Sequence, residues 1–399
     1  MNLLSSKDAA GLGLMIMSCT GFAKYMDHIG ASSRLVNLAL KPLGRFKAPY
    51  VVMMLSYFVN VFMSLPVPSA SGLAMLMMVT LFPILTSLGV SRPAAASAIA
   101  TGHLLDWGPA SATSLLISRY AEMPVTEYFV NYQMPVYACC AVAASVTHFF
   151  WQQYLDRKQG LYLDPHSEEF EVKVSQKQME GNAPPGPVYY IFLPLMPIIF
   201  LVGFSQYGYQ GIKMNVNVAM YMSLAIAMLC EFIRHKGNLR TVCDSIHVFF
   251  KGMGDQFTMT VTLITAGQTF AYGLQCLGVV GSVIAASQTL GVSATMLGFL
   301  ASIILFVLGM IMGSGVAPLF SFIPLIPDLA RSLGAKPVAL MLPMQNGTCL
   351  GRLLSPITAV IVAVSSIAAI SPFELVKRNS VPVLVSFVTS TLAIWFFFG

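Results

Sequence analysis

Twelve stretches of this chain are apolar over roughly fifteen to thirty residues each: 10–30, 49–65, 72–88, 93–118, 134–154, 188–207, 216–233, 254–280, 293–312, 316–330, 337–367 and 380–398. A helix crosses the hydrocarbon core of a bilayer with about 20 such residues. In lipid, every backbone polar group must also find its partner within the protein. The pattern dictates an all-α, polytopic helical membrane protein. Composition excludes the alternatives: only 10% of residues are charged, against about 25% in a soluble globular domain, and disorder needs far more polarity than this.

The seven cysteines are scattered without a CxxC pair and read as small hydrophobes. The net charge of +6 implies no nucleic-acid partner, because Lys and Arg in a membrane protein report orientation. One hydrophilic stretch, 155–187, holds ten charged residues and ends in Pro184-Pro185-Gly186-Pro187. It reads as a cytoplasmic linker between two halves, 1–154 and 188–399.

The halves repeat each other. Phe22-Ala23 and Gly30 match Phe270-Ala271 and Gly278, Ser71-Gly72 matches Ser314-Gly315, Ser87-Leu88-Gly89 matches Ser332-Leu333-Gly334, and Gly108-Pro109 lines up with Ser355-Pro356. Glu127 and Pro135 match Glu374 and Pro382 in the same order. The loop at 31–47 carries Arg34, Lys41, Arg45 and Lys47, whereas its counterpart at about 281–292 carries no Lys or Arg. Equivalent loops of unlike charge belong on opposite sides of the membrane, so the repeats are expected to be inverted. Each should hold a re-entrant hairpin, 49–88 and 293–330, followed by a broken helix. With that topology, 15 of the 22 basic residues fall in cytoplasmic stretches and five outside. The second half opens with two apolar segments, 188–207 and 216–233, that the first half lacks. Two scaffold helices are therefore expected upstream of the first residue.

Chemistry concentrates at four places. The hairpin tips carry Ser69, Ser71 and Gly72, and Gly313, Ser314 and Gly315. Helix breaks at membrane depth persist where they line a wet cavity or are buried by protein; the tips read either as binding loops or as packing kinks. The broken helices carry Thr101 and Ser111 around Gly108-Pro109, and Asn346, Thr348, Ser355 and Thr358 around Arg352. Paired interrupted helices are the best pointer to a transport site. Arg352 is the one fixed positive charge in either broken helix. It suits a carboxylate, with a structural pair to a helix acid or to C-terminal carbonyls as the competing role. His103 and Asp106, three apart and expected on one helix face, read as a cation-coupling pair for a proton or sodium, or as a structural hydrogen-bonded pair. Lys24 is expected to snorkel at a helix end, and Asp255 to sit near a helix N-terminus.

Several stretches resemble the DcuC family of anaerobic four-carbon dicarboxylate transporters, within the ion transporter superfamily of elevator-type carriers, and look closer to its DcuD-like branch. They are GFAKYMDHIGAS at 21–32, SASGLAMLMMVTLFPILTSLGVSR at 69–92, HFFWQQYLDRK at 148–158, MGSGVAPLFSFIPLIP at 312–327, and LGRLLSPITAVIVAVSSIAAISPFELVKR at 350–378 with the following SVPVLV. The resemblance implies fumarate, succinate or malate as substrate, moved by exchange, efflux or cation-coupled uptake. It implies a multi-pass protein of the bacterial inner membrane, surrounded by lipid and often a homodimer, with no cofactor beyond a coupling sodium or proton. His103 and Asp106 stand where small apolar residues are more usual in the family. The rival within the carrier class is a sodium/proton antiporter or a carrier of another organic anion. A membrane-embedded enzyme is the reading from another class; no HExxH, no GxSG around the 313–315 tip and no diphosphate-binding acidic cluster supports it.

Overall fold

The structure, a computed structural model, describes residues 7–40, 48–161, 187–205, 208–209, 214–258, 262–290 and 293–398, and no strand occurs among them. From the N-terminus, α1 (Lys7–His28) and α2 (Ala31–Leu40) precede a helical hairpin of α3 (Pro49–Met63) and α4 (Ala70–Ser87). The broken pair α5 (Arg92–Ala100) and α6 (Ala112–Tyr120) follows, then the long α7 (Val125–Lys158), with a π-helical turn at Tyr128–Gln133. Next come α8 (Val188–Gly203), α9 (Val216–Arg234) and α10 (Leu239–Gln256). Then α11 (Thr262–Cys276) and α12 (Val279–Leu290) lead to a second hairpin, α13 (Ala294–Met312) against α14 (Ala317–Phe322) and α15 (Ile326–Ser332). A second broken pair, α16 (Pro337–Gly351) and α17 (Ala359–Ala368), and the long α18 (Pro372–Phe398) complete the chain. Six segments among the described residues are long and apolar enough to span a bilayer: α4, α7, α9, α13, the α16–α17 pair and α18. The chain is a multi-pass membrane protein.

The two hairpins differ in their return legs. In the first, α4 runs unbroken over Pro83. In the second, the return leg passes through a 3-10 turn at Ile323–Leu325 between α14 and α15. Pro324 and Pro327 each remove a helical donor there.

Three expected loops are helices. The stretch 31–40 forms α2, with Leu35 and Val36 buried, while 41–47 lies outside the described residues. Likewise 279–290 forms α12, and 239–256 forms α10, which is capped by Asn238 and buries Val242, Phe249, Gly252 and Met253. α2 and α10 are amphipathic, so their apolar residues never form the continuous run that marks a span, and α12, which is uncharged, is only 12 residues long. The apolar run that starts at 254 straddles α10 and α11. Asp255 therefore ends a helix instead of starting one, and it pairs with Lys24 of α1. The linker boundary also shifts: 155–158 is the last turn of α7, and 162–186 lies outside the described residues.

Two packing devices position the site. The hairpin leg α13 and the half-helix α16 meet along small residues. A Cβ on Gly347 would lie 2.3 Å from the Ser302 carbonyl oxygen, and one on Gly351 2.0 Å from that of Phe306. Hydrogen at these positions is what lets the two backbones touch. Behind the first break, α7 and α18 pack together around a fully buried Arg378. Its Nη1 donates to Asp156 (2.7 Å) and Gln152 (3.1 Å), its Nε to Glu374 (3.2 Å), and Nη2 to Gln159. Asp156 also accepts from Tyr50 (2.5 Å) and Ser91 (2.8 Å). Arg378, counted above among cytoplasmic charges, thus belongs to the interior.

Candidate functional site

Each hairpin tip is built by a serine that caps the returning helix. Ser69 Oγ accepts the Gly72 N–H (3.2 Å) and starts α4. Ser314 Oγ accepts from Val316 (3.3 Å) and Ala317 (3.1 Å) and starts α14. These hydroxyls satisfy amides that a helix start leaves unpaired. Gly313 precedes the second cap at φ +63°, a left-handed backbone that glycine adopts without strain. The breaks are handled alike on one side: Ser111 caps α6, accepting from Ser114 (3.5 Å). Thr358, at the start of α17, instead donates to the Arg352 carbonyl (2.6 Å) and ties the break to its own upstream turn.

The four features surround one cavity of about 300 Å³, at the small end of the roughly 300–1,000 Å³ usual for ligand pockets. Of the residues expected at the site, Ser69, Ser71, His103, Asp106, Gly313, Ser314, Gly315, Arg352 and Thr358 line it. So do Ala112, Ala359 and Val360, the first residues of α6 and α17. The N-termini of α4, α6 and α17 therefore converge on the cavity, each with the partial positive charge of a helix start. Two wall residues, Thr20 of α1 and Gln256 of α10, were not anticipated. Neither stands in a motif; only the packing of α1 on α10 brings them there.

Arg352 dominates the electrostatics. It is 8% exposed and lies in the 3-10 turn Arg352–Leu354 that follows α16. Among the described residues it has no carboxylate within 4 Å. Its Nη2 donates to the Nδ1 (3.3 Å) and the carbonyl oxygen (3.2 Å) of His103, and its Nε is buried without a partner. Gly315 makes room for its stem, since a Cβ there would fall 2.8 Å from Arg352 Cδ. In the same wall, Asp106 Oδ2 accepts from Thr113 Oγ1 at 3.0 Å. His103 and Asp106 do not share a helix face, as their spacing suggested. Both lie in the non-helical 101–111 segment, which turns the two inward together.

Five expected residues stand behind the wall, and Gly72 supports it by donating to Ser69. Thr101 is fully buried and bonded to the Ser97 carbonyl and His148 Nε2 (2.7 Å). Ser111 contacts Thr113 (3.0 Å), and Thr348 donates to the Gly315 carbonyl (3.1 Å), fixing the second tip to α16. Ser355 Oγ and Asn346 Nδ2 are buried without partners. Asn346 faces a cleft of about 10 Å³ shared with Asp106 and Gln133. A further network joins the two broken helices. Gln345 Nε2 donates to the Asp106 carbonyl (2.6 Å) and Thr113 (2.7 Å), while its Oε1 accepts from Tyr128 (2.6 Å) and Gln133 (3.1 Å) of the π turn. π turns recur at functional sites. No group of three His, Cys, Asp or Glu side chains among the described residues could hold a metal.

The sequence profile of a C4-dicarboxylate anaerobic carrier family, DcuC, matches residues 1–398. The chain belongs to the DcuC family. Family members include the anaerobic C4-dicarboxylate transporter DcuC of Escherichia coli K12, 37% identical over 98% of this chain and 82% of the relative. A probable anaerobic C4-dicarboxylate transporter DcuC of Vibrio cholerae is 35% identical over 95% of this chain and 80% of the relative. A putative uncharacterized transporter of Haemophilus influenzae is 29% identical over 68% of this chain and 94% of its own length. Membership in a family of carriers bears out the carrier reading over the enzyme reading.

Proposed function

We propose that this protein is a secondary active transporter of C4-dicarboxylates in the bacterial inner membrane. The observation that carries the reading is Arg352: a buried guanidinium without a carboxylate partner, on the wall of a cavity where three helix N-termini meet. An unpaired charge in a membrane protein is costly and marks a substrate path. A guanidinium grips a carboxylate with two parallel hydrogen bonds. Ser71 and Ser314 supply hydroxyl donors for the second carboxylate, whereas the Thr358 hydroxyl already donates to the Arg352 carbonyl. The relatives' names agree with this chemistry.

The two hairpins and two broken helices form inverted repeats in this reading, and the moving unit is an elevator that carries the cavity across the membrane, with a homodimer as its scaffold. Movement is coupled to a proton or sodium, or proceeds by exchange. The test is uptake and counterflow in proteoliposomes with labelled succinate against unlabelled fumarate, malate, monocarboxylates and tricarboxylates, varying sodium and pH separately. Counterflow restricted to four-carbon dicarboxylates supports the reading. Sodium/proton exchange without anion counterflow would replace it with the antiporter.

A further inference from the structure

The contact between Arg352 and His103 defines a proton state. Arg352 Nη2 lies 3.3 Å from His103 Nδ1 and 3.2 Å from the same residue's carbonyl oxygen. A guanidinium has only donors, so Nδ1 must be the unprotonated acceptor, and the ring is neutral with its proton on Nε2. A second proton on Nδ1 would point at Arg352 and break the contact. The arginine that the function needs for an anion is therefore parked on a ring nitrogen that must be bare for it to stay there.

We infer that a substrate carboxylate takes Arg352 from His103 and that His103 then binds a proton at Nδ1, so that one proton enters the site with each dicarboxylate. This rests on the dicarboxylate reading above and adds the atom at which a coupling proton is held. The step balances simply. The Nη2–H···Nδ1 hydrogen bond breaks, an Nη2–H···O bond to the carboxylate forms, and the Nδ1 lone pair takes a proton from a hydronium ion of the aqueous phase, which leaves as water. Charge favours the exchange. Arg352 and Asp106 are the two charged residues in the cavity wall, and they sum to zero. A dianion leaves the cavity doubly negative, and a protonated His103 removes half of that excess. The groups that face His103 are Arg352 from the second broken helix and Asp106 from its own segment; the first tip presents residues without ionisable side chains, Pro68 to Ser71. Asp106 is the poorer acceptor of this proton because Thr113 already donates to its carboxylate. His103 loses its donor when the substrate arrives.

By linkage, a proton taken up on binding makes binding tighter at lower pH. Affinity for succinate should fall as pH rises between the proton affinities of the free-state and the bound-state His103, approaching tenfold per pH unit, and level off above the latter. Titrate purified full-length protein in lipid nanodiscs with succinate by calorimetry, in two buffers of unlike ionisation heat, and count protons. The parent should take up about one proton per succinate. His103→Asn keeps an acceptor at the Nδ1 position without titrating, and His103→Gln removes the ring by another route. Both should bind succinate with no proton uptake and a flat pH profile, while Asp106→Asn should keep the uptake. Succinate binding by the parent with no proton uptake, uptake that survives in a folded His103 variant, or uptake lost in Asp106→Asn would each overturn the inference while leaving the dicarboxylate reading intact. Should neither His103 variant fold, the parent's proton count and Asp106→Asn still decide. A folded parent that binds no dicarboxylate at all overturns the function itself, and the inference with it.

Discussion

Gly315→Ala adds one methyl group and aims it at the anchor of the site. An ideal Cβ at this position falls 2.8 Å from Arg352 Cδ and 3.2 Å from Nε. Carbon atoms prefer separations of about 3.5–4.0 Å, so the Arg352 stem must shift by about 0.7 Å or more. The alternative, movement of the tip, is resisted by the Thr348 bond to the Gly315 carbonyl. A hydrogen bond to a charged group contributes about 1.5–3 kcal/mol, and misaligning one of the pair to a carboxylate should weaken binding about 10- to 100-fold. The fold should lose about 1–3 kcal/mol, as for a tolerated overpacked site. The assay is the dissociation constant for labelled succinate on purified protein, read alongside the melting temperature. A Gly315→Ala variant that melts normally and binds succinate like the parent would refute both the anchor and the role of the glycine in seating it.

Asp156→Asn leaves Arg378 buried without its closest carboxylate and should cost about 3–5 kcal/mol, seen as a large fall in melting temperature; a parent-like melting curve would show that Glu374 and the glutamines suffice. Gly351→Ala places a methyl 2.0 Å from the Phe306 carbonyl oxygen, so α13 and α16 must part, at about 1–3 kcal/mol. Unchanged thermal stability would contradict the backbone seam. Cys243 and Cys276 are exposed and free, and the charge distribution puts the first on the cytoplasmic face and the second outside. A membrane-impermeant maleimide should label Cys276 in intact spheroplasts and Cys243 only after permeabilisation; the reverse pattern would invert the orientation.

What could be read from the sequence tracks what a single residue type forces. Gly108-Pro109 and Ser355-Pro356 set a weak helix former beside a proline, a stronger break than the lone Pro83 that α4 carries, and both breaks are present. Arg352 stood out because a guanidinium in an apolar run demands a reason. The amphipathic α2 and α10 were hidden, because hydropathy averages their buried and charged faces into a loop-like signal, and the uncharged α12 was hidden by its length of only 12 residues. Asp255 shows the same fault at a boundary, where one apolar run covered two helix ends. His103 and Asp106 did meet at the cavity, but through an irregular segment and not through helical spacing. Thr20, Gln256 and Gln345 carry no local signature; their positions follow from how α1, α10 and α16 pack, which only the assembled fold contains.

The buried Arg378 sets an order on biosynthesis. Asp156 emerges from the ribosome more than two hundred residues before its partner, since Arg378 lies in the last helix of the described chain. Until α18 arrives, the lower end of α7 presents a carboxylate held only by Tyr50 and Ser91, with Gln152 lacking its arginine. A nascent chain therefore keeps that end of α7 hydrated at the membrane surface, where a charge is cheap, and draws it inward once the final helix docks. Synthesis of α18 and closure of this part of the interior are the same event, and a chain halted before residue 378 would leave Asp156 without its arginine.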